Sequence, residues 1–425
     1  MSSAVRAEPG WYPQTSPVPA ALRCVDFVDP SYGWIGGSGG TILHTTDGGT
    51  NWVEQESGVA GRIHDIDFCD RENGYAAADQ WTLLRTTNGG MSWMVVHQGD
   101  YESLPLGAIS VVDSLTVWEA WTAYGYPYSG GGVGVTTDGG ATWSRNILSW
   151  NDGHPCSVAS LDVAGFTATT AVLSCEITRY DYSRYGLCFR TTDGCNTFGN
   201  PSHTEILHVL RFVDGETGFG GPLASDLPPG GGLERTTDGG VSWDEACQFD
   251  YGFHDVWFET SDLGWLAGDD GAIQRTEDGC SSWTEQPSGT TEDLHAIQFV
   301  DAWVGTAVGD NGTILHTVTG GEITAEVTQD AIVPTPRSLR CEPNPFTSGI
   351  RIDYTTDRTS TAQVAVFDAA GRLVRLLDAG VRSAGPHSLT WDGSDRSGRR
   401  APAGTYFVRL RAEGIEESRT VLRIK

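Results

Sequence analysis

Short apolar runs alternate with polar turns along most of this chain, first as Val25-Asp26-Phe27, Gly33-Trp34-Ile35-Gly36 and Thr41-Ile42-Leu43-His44. Runs of β-branched and aromatic residues this short, separated by Gly, Asp and Asn, predict strands joined by tight turns. Four strands per unit are expected. The third and fourth are joined by Thr45-Thr46-Asp47-Gly48-Gly49-Thr50-Asn51-Trp52, and this turn returns at residues 86–93, 136–143, 191–198, 236–243 and 276–283. Its acidic position steps through Asp47, Asn88, Asp138, Asp193, Asp238 and Asp278 at intervals of 41, 50, 55, 45 and 40 residues, the length of a four-stranded propeller blade. A residue recurring in every unit does what every unit needs. The carboxylate is expected to accept turn N–H groups, Gly to supply positive φ, and the closing Trp52, Trp93, Trp143, Phe198, Trp243 or Trp283 to cover the hairpin base.

A weaker copy, Thr317-Val318-Thr319-Gly320-Gly321, lacks the aromatic, while Trp11-Tyr12-Pro13-Gln14 matches the strands that follow the other tryptophans. Residues 11–17 are therefore expected to complete a last blade and close the ring. The fold class predicted is all-β: a seven-bladed propeller over 11–325, a tail or leader remnant at 1–10, a linker at 326–339, and an immunoglobulin-like sandwich at 340–425.

The repeated turn resembles the Asp-box, or BNR repeat, of sialidases, sortilin-type receptors and some glycoside hydrolases. With its Phe-x-Asp and Gly-Trp elements, residues 11 to 321 most closely resemble the photosystem II assembly factor (Ycf48-like) propellers. Glu342-Pro343-Asn344-Pro345-Phe346, Trp391-Asp392-Gly393 and Gly404-Thr405-Tyr406-Phe407-Val408 resemble FlgD-type Ig-like modules and the C-terminal sorting domains of the type IX secretion system. The second resemblance implies export through secretion machinery, and the strand Thr420-Val421-Leu422-Arg423-Ile424-Lys425 fits its basic ending.

Charge divides the chain at the same boundary. Residues 1–334 carry 12 arginines against 45 acidic residues, a net −33, whereas 335–425 carry 15 basic and 10 acidic, a net +5. So acidic a propeller is repelled by nucleic acid and anionic membrane. No apolar run approaches a membrane span. Val5-Arg6-Ala7 places small residues where a signal peptidase cuts, so Met1 is expected to lie inside a truncated leader of a secreted or surface protein.

None of the nine cysteines forms a Cys-x-x-Cys pair, so no metal site is expected and no cofactor is implied. Cys195 and Cys280 take the place of a turn glycine, which reads as local tolerance. Cys175 and Cys188 flank an aromatic loop and are the candidate disulfide.

Function is expected where the repeat breaks. The loops between second and third strands lengthen in three successive units and carry Tyr124, Tyr126, Tyr128, Arg179, Tyr180, Tyr182, Arg184 and Tyr185, a set suited to a protein or glycan partner. His64, His208, His254 and His295, with Arg23 in the matching slot, recur at the entry of the innermost strand and read as blade packing. Asp65, Asp181 and Asp255 are the acids that could pair in a hydrolase. Arg85, Arg190, Arg235 and Arg275 precede turns and are accounted for structurally, and the Phe/Tyr-Arg-x-Pro element of sialidases is absent. The reading is a non-catalytic binding or assembly scaffold at the cell surface, with an Asp-box glycoside hydrolase as the alternative.

Overall fold

The structure is a computed structural model describing residues 7–8, 10–98, 106–123, 130–148, 156–179, 183–222, 232–249, 252–322, 324–325, 339–342, 346–347, 349–356, 360–368, 373–382, 385–394, 399–412 and 415–424. The chain divides into two compact units, Pro9–Ile323, and Met1–Glu8 with Thr324–Lys425. In the first unit the described residues form seven four-stranded antiparallel sheets. They are the blades of a β-propeller, numbered here in chain order: 22–55, 63–97, 106–148, 156–204, 209–248, 253–285 and 294–317. The last takes its outer strand from Tyr12–Pro13, with Tyr12 opposite His316 and Pro13 opposite Leu315. Innermost strands pack one on the next round the ring, and Leu294–Phe299 packs on Leu22–Phe27.

The Gly-aromatic grammar has a packing cause. A Cβ on Gly33 would sit 2.5 Å from the Phe27 ring, and one on Gly305 equally close to Phe299. Glycine lets the inner-strand phenylalanine lie flat on its neighbour strand. The following aromatic then reaches the next blade, so Trp34 stacks on Phe68 and Trp265 on Phe299 with ring centres 3.6 Å apart. Burying each such ring contributes about 1.5–3 kcal/mol, and stacking adds to it.

Outer strands are pinned to the next blade's turn. Gln14, Gln55 and Gln286 donate through Nε2 to Gly48, Gly89 and Gly320 at 2.8, 2.9 and 2.8 Å. Between blades five and six a disulfide, Cys247–Cys280, takes the place of that bond. Cys280, expected as mere tolerance at a turn glycine, keeps the glycine's left-handed backbone at φ 84° and makes the cross-link. The disulfide expected between Cys175 and Cys188 does not form. Register sets Cys175 opposite Leu187 and Cys188 opposite Ser174, so the two side chains leave opposite faces of the sheet and enter different cores.

In the second unit, Arg340–Glu342, Ile350–Thr356 and Gly385–Trp391 form one sheet, and Leu373–Arg382, Ser360–Asp368, Gly404–Ala412 and Ile415–Arg423 another. Trp391, Tyr406, Phe346 and Val408 are buried in a common core. Alternation of buried and exposed residues along Ile350–Thr356 follows from one face packing on that core. Leu339, the last residue assigned to the linker, is buried there too, and the rest of the linker lies outside the described residues. Ala7–Glu8, expected within a tail, pairs with Thr324–Ala325.

Candidate binding site

Two sets of aspartates dominate the propeller's chemistry. The first closes the repeated turns. In blade five, Thr236 Oγ1 donates to Asp238 Oδ1 at 2.8 Å and accepts from the Gly240 N–H at 2.9 Å. Asp238 also accepts from the Ser242 N–H at 2.9 Å and its hydroxyl at 2.6 Å. Asp47, Asp138, Asp193 and Asp278 accept in the same way within their own turns, and Asn88 does so with Ser92. The Thr142 hydroxyl and N–H pull the Asp138 carboxyl down to about 2.

The second set lines the central channel. Asp65, Asp162 and Asp255 each accept from their own next residue and from the next blade, at Ile109, Leu210 and Ile297, over 2.9, 2.7 and 2.9 Å. Asp26 accepts from the Phe68 N–H at 2.8 Å and Asp67 from the Val111 N–H at 2.6 Å. Gln298 returns the circle to blade one by accepting from the Phe27 N–H and donating to Asp26. Between blades five and six the link is Arg211, 3.2 Å from Asp255 and 3.7 Å from Asp162. Burial pushes Asp26 and Asp162 up to about 7 and raises Asp65, Asp67 and Asp255, against their N–H bonds. A cavity of about 630 Å³ lies along the channel, lined by Asp26, Asp67, Ser110, Arg211, Trp257 and Gln298 among others.

The recurring histidines line a second, smaller cavity of about 200 Å³, whose wall also includes Asp65, Asp162 and Asp255. His64, His254 and His295 meet Asp79, Asp269 and Asp310 at 2.7, 2.7 and 2.9 Å. Each tethers an inner strand to its blade's turn between second and third strands. Arg23 joins them through His295 at 2.8 Å. Among the described residues no group of three His, Cys, Asp or Glu is placed to hold a metal ion.

Tyr124, Tyr126, Tyr128, Tyr180 and Tyr182, and Asp181, lie outside the described residues. Of the remaining loop candidates, Tyr185 packs on the core of blades three and four and faces His203, with the Arg179 guanidinium 4.9 Å from its ring. Arg184 pairs with Glu176. These three side chains are thus engaged within their own blade.

Sequence reasoning passed over Arg211, the role of the channel aspartates and the buried Glu119. A signal existed: Asp26 and Asp67 stand one residue before their blade's phenylalanine, and Asp65 and Asp255 three before. That period of two places them on one strand face, and on an innermost strand this face is the channel.

Residues 346–414 match the family model described as the FlgD Ig-like domain. This part of the chain is similar to FlgD. Photosystem II stability/assembly factor HCF136 of Arabidopsis thaliana is 24% identical over 200 residues, covering 44% of this chain and 49% of that protein. The chain spans about a quarter of the Escherichia coli FlgD protein it matches and about half of HCF136. A solved structure of YCF48 bound to D1 peptide superposes with a TM-score of 0.55 at 19% identity, covering 75% of this chain and 100% of that one. PorZ, a bacterial surface component of the type-IX secretion system of Porphyromonas gingivalis, gives 0.50 at 12% identity, covering 93% and 58%. At such identities the likeness is one of fold, and that fold is the all-β propeller.

Proposed function

We infer that the chain is a non-catalytic, seven-bladed propeller scaffold that binds a protein partner, with a C-terminal immunoglobulin-like module that delivers it to the cell surface. The observation that carries this reading is the use to which the channel carboxylates are put. Asp65 and Asp255, the acids a hydrolase would draw on, hold backbone N–H groups of the next blade and, for Asp255, the Arg211 guanidinium. A general acid–base pair needs carboxyls that can reach a substrate and exchange protons with it. Here the acids stitch the ring, which leaves the rims and the unrepeated surfaces for recognition. The D1 peptide of the YCF48 structure makes a protein segment the favoured kind of partner, with a glycan second.

Delivery is the further part of the reading. A disulfide across two blades suits an oxidising compartment, and the basic C-terminal module is the candidate for engaging type IX secretion machinery. Two assays test the whole. Sialosides and glucans should stay intact with the purified protein, and a pull-down from the producing cell should return a protein partner. Deleting residues 337–425 should leave the propeller folded and abolish surface delivery in a host with the type IX pathway. Glycan cleavage that disappears in an Asp255→Asn variant would overturn the scaffold reading, and normal export without the module would overturn the sorting role.

A further inference from the structure

Several departures from the repeat converge on the rim between blades two and three. Glu119 stands opposite Ile109, where blades one, two, six and seven place Ile35, Ala76, Leu266 and Ala307 at the matching register. Trp121 stands where they place Gly37, Ala78, Gly268 and Gly309. Trp81 ends a turn that elsewhere ends in Gly40, Gly271 or Gly312. It keeps the glycine's left-handed backbone, φ 48° after Gln80 at φ 61°, a conformation that a bulky side chain rarely adopts and that gathers at functional sites. Arg145 occupies the register position of Glu54, Val95 and Glu285.

These side chains build one structure. Glu119 is fully buried and meets His97 Nε2 at 2.7 Å with one oxygen and Arg145 Nε at 2.8 Å with the other. The Arg145 guanidinium lies 4.7 Å from the ring centre of Trp143, 5.0 Å from Trp81 and 6.0 Å from Trp121. Strand Gly130–Thr136 makes room, since a Cβ on Gly132 would strike Trp121 and one on Gly134 would crowd Glu119 and Arg145. Three indoles and one carboxylate therefore fix the guanidinium. Its Nη1 and Nη2 meet no acceptor among the described residues, and the side chain is 32% exposed.

We propose that this rim is a receptor for a carboxylate carried on a segment of a partner protein. A guanidinium held in plane, with its Nε edge already bonded, presents the paired N–H groups of the other edge to a carboxylate in bidentate geometry. Indole faces beside it desolvate the pair and supply flat apolar area. The surroundings favour a peptide over an acidic sugar, because the outer strands of the same two blades expose Met94 at 60% and Ile147 at 71%, which suit apolar side chains flanking the acid. This proposal rests on the partner-binding reading above and names the chemistry of one contact.

The test uses the full chain and two synthetic probes, acetyl-Leu-Leu-Glu-Leu-Leu-amide and its Gln counterpart, followed by the indole N–H resonances of the protein. The Glu peptide should bind about tenfold more tightly than the Gln peptide and shift the Trp81 and Trp143 signals. Because Arg145→Gln alone strands a buried Glu119, the double variant Glu119→Gln/Arg145→Gln is the control, expected to melt near the wild type and to lose the preference. Trp81→Gly restores the residue type of the other blades, so it should weaken the Glu peptide severalfold without lowering Tm. Equal binding of both peptides, a preference surviving in the double variant, or response to glucuronate with the peptides silent would each overturn the proposal. If the double variant still captures the wild-type partner from the producing cell, this site falls and the scaffold reading stands; if the wild type captures none and cleaves glycan, the scaffold reading falls.

Discussion

The propeller uses aspartate in two places to opposite electrostatic effect. In the repeated turns the carboxylate is exposed, accepts several N–H and O–H donors of its own hairpin, and is held below its ordinary range, as Asp138 is at about 2. In the channel Asp26 and Asp162 also accept N–H bonds, yet burial outweighs them and carries both to about 7. The same bond thus accompanies a firmly ionised group at the rim and a proton-retaining one on the axis. What differs is water, and secondarily the crowding of like charges: Asp26 helps raise Asp67. The turn carboxylates close each hairpin, while the channel carboxylates tie one blade to the next. Among the described residues Arg211 offsets their charge from within, and Asp255 and Asp162 in return hold its proton more tightly against the partial desolvation of its guanidinium.

The largest effect is expected where a channel carboxylate is removed from that cation. Asp255→Leu leaves the Ile297 N–H and one side of Arg211 unpaired, and should cost about 3–5 kcal/mol in denaturant unfolding. Asp255→Asn keeps the shape and should cost clearly less. A leucine variant within experimental error of the wild type would break the comparison, because the axis would then be wet enough to replace the lost partner.

The turn set should respond more mildly. Asp238→Ala removes the acceptor of Val241 and Ser242 and should cost about 1–3 kcal/mol, with affinity for any partner unchanged on the folded fraction. Asp238→Asn should recover most of it, since blade two already uses Asn88 there. Lost binding at unchanged stability would mean that a turn residue touches the partner.

How far these regions could be read beforehand follows from their geometry. The turn is local: Thr, Asp, Gly and Trp lie within eight residues, so repetition alone revealed the strand pair and the four-stranded blade. The channel is not local. Asp65 and Ile109 are 44 residues apart, and a polar residue alternating on a strand reads as solvent-facing until the ring turns that face inward. Cys247–Cys280 was hidden because Cys280 sits in a glycine's place. Cys175 and Cys188 misled because hairpin distance is visible in sequence and strand parity is not; one residue of register sends them to opposite faces. The blade two–three rim was legible only in part, since Trp143 reads as one more turn tryptophan and Glu119 as one acid among many.

A smaller and more diffuse effect is expected in pH dependence. Carboxyls raised in the folded state bind protons that the unfolded chain has released, so the channel set destabilises the fold progressively as pH rises from about 4 to about 7. Carboxyls lowered in the folded state act in reverse. Their stabilisation is present above about 4 and lost as pH falls towards about 2. Tm should therefore peak in mildly acid buffer and decline on both sides. Asp26→Asn should flatten the alkaline limb and leave the acid limb intact, and an unchanged alkaline limb would show that Asp26 is not its source.

The most direct measurement is a carboxyl-carbon NMR titration of the aspartate-labelled protein between about pH 2 and pH 9, assigned through Asp26→Asn, Asp162→Asn and Asp138→Asn variants. Two populations are predicted, with Asp26 and Asp162 titrating near 7 and Asp138 near 2. Titration of all three together near the ordinary aspartate value, about 4, would contradict the account: the channel would be open to water, its acids available for chemistry, and the glycoside hydrolase alternative restored.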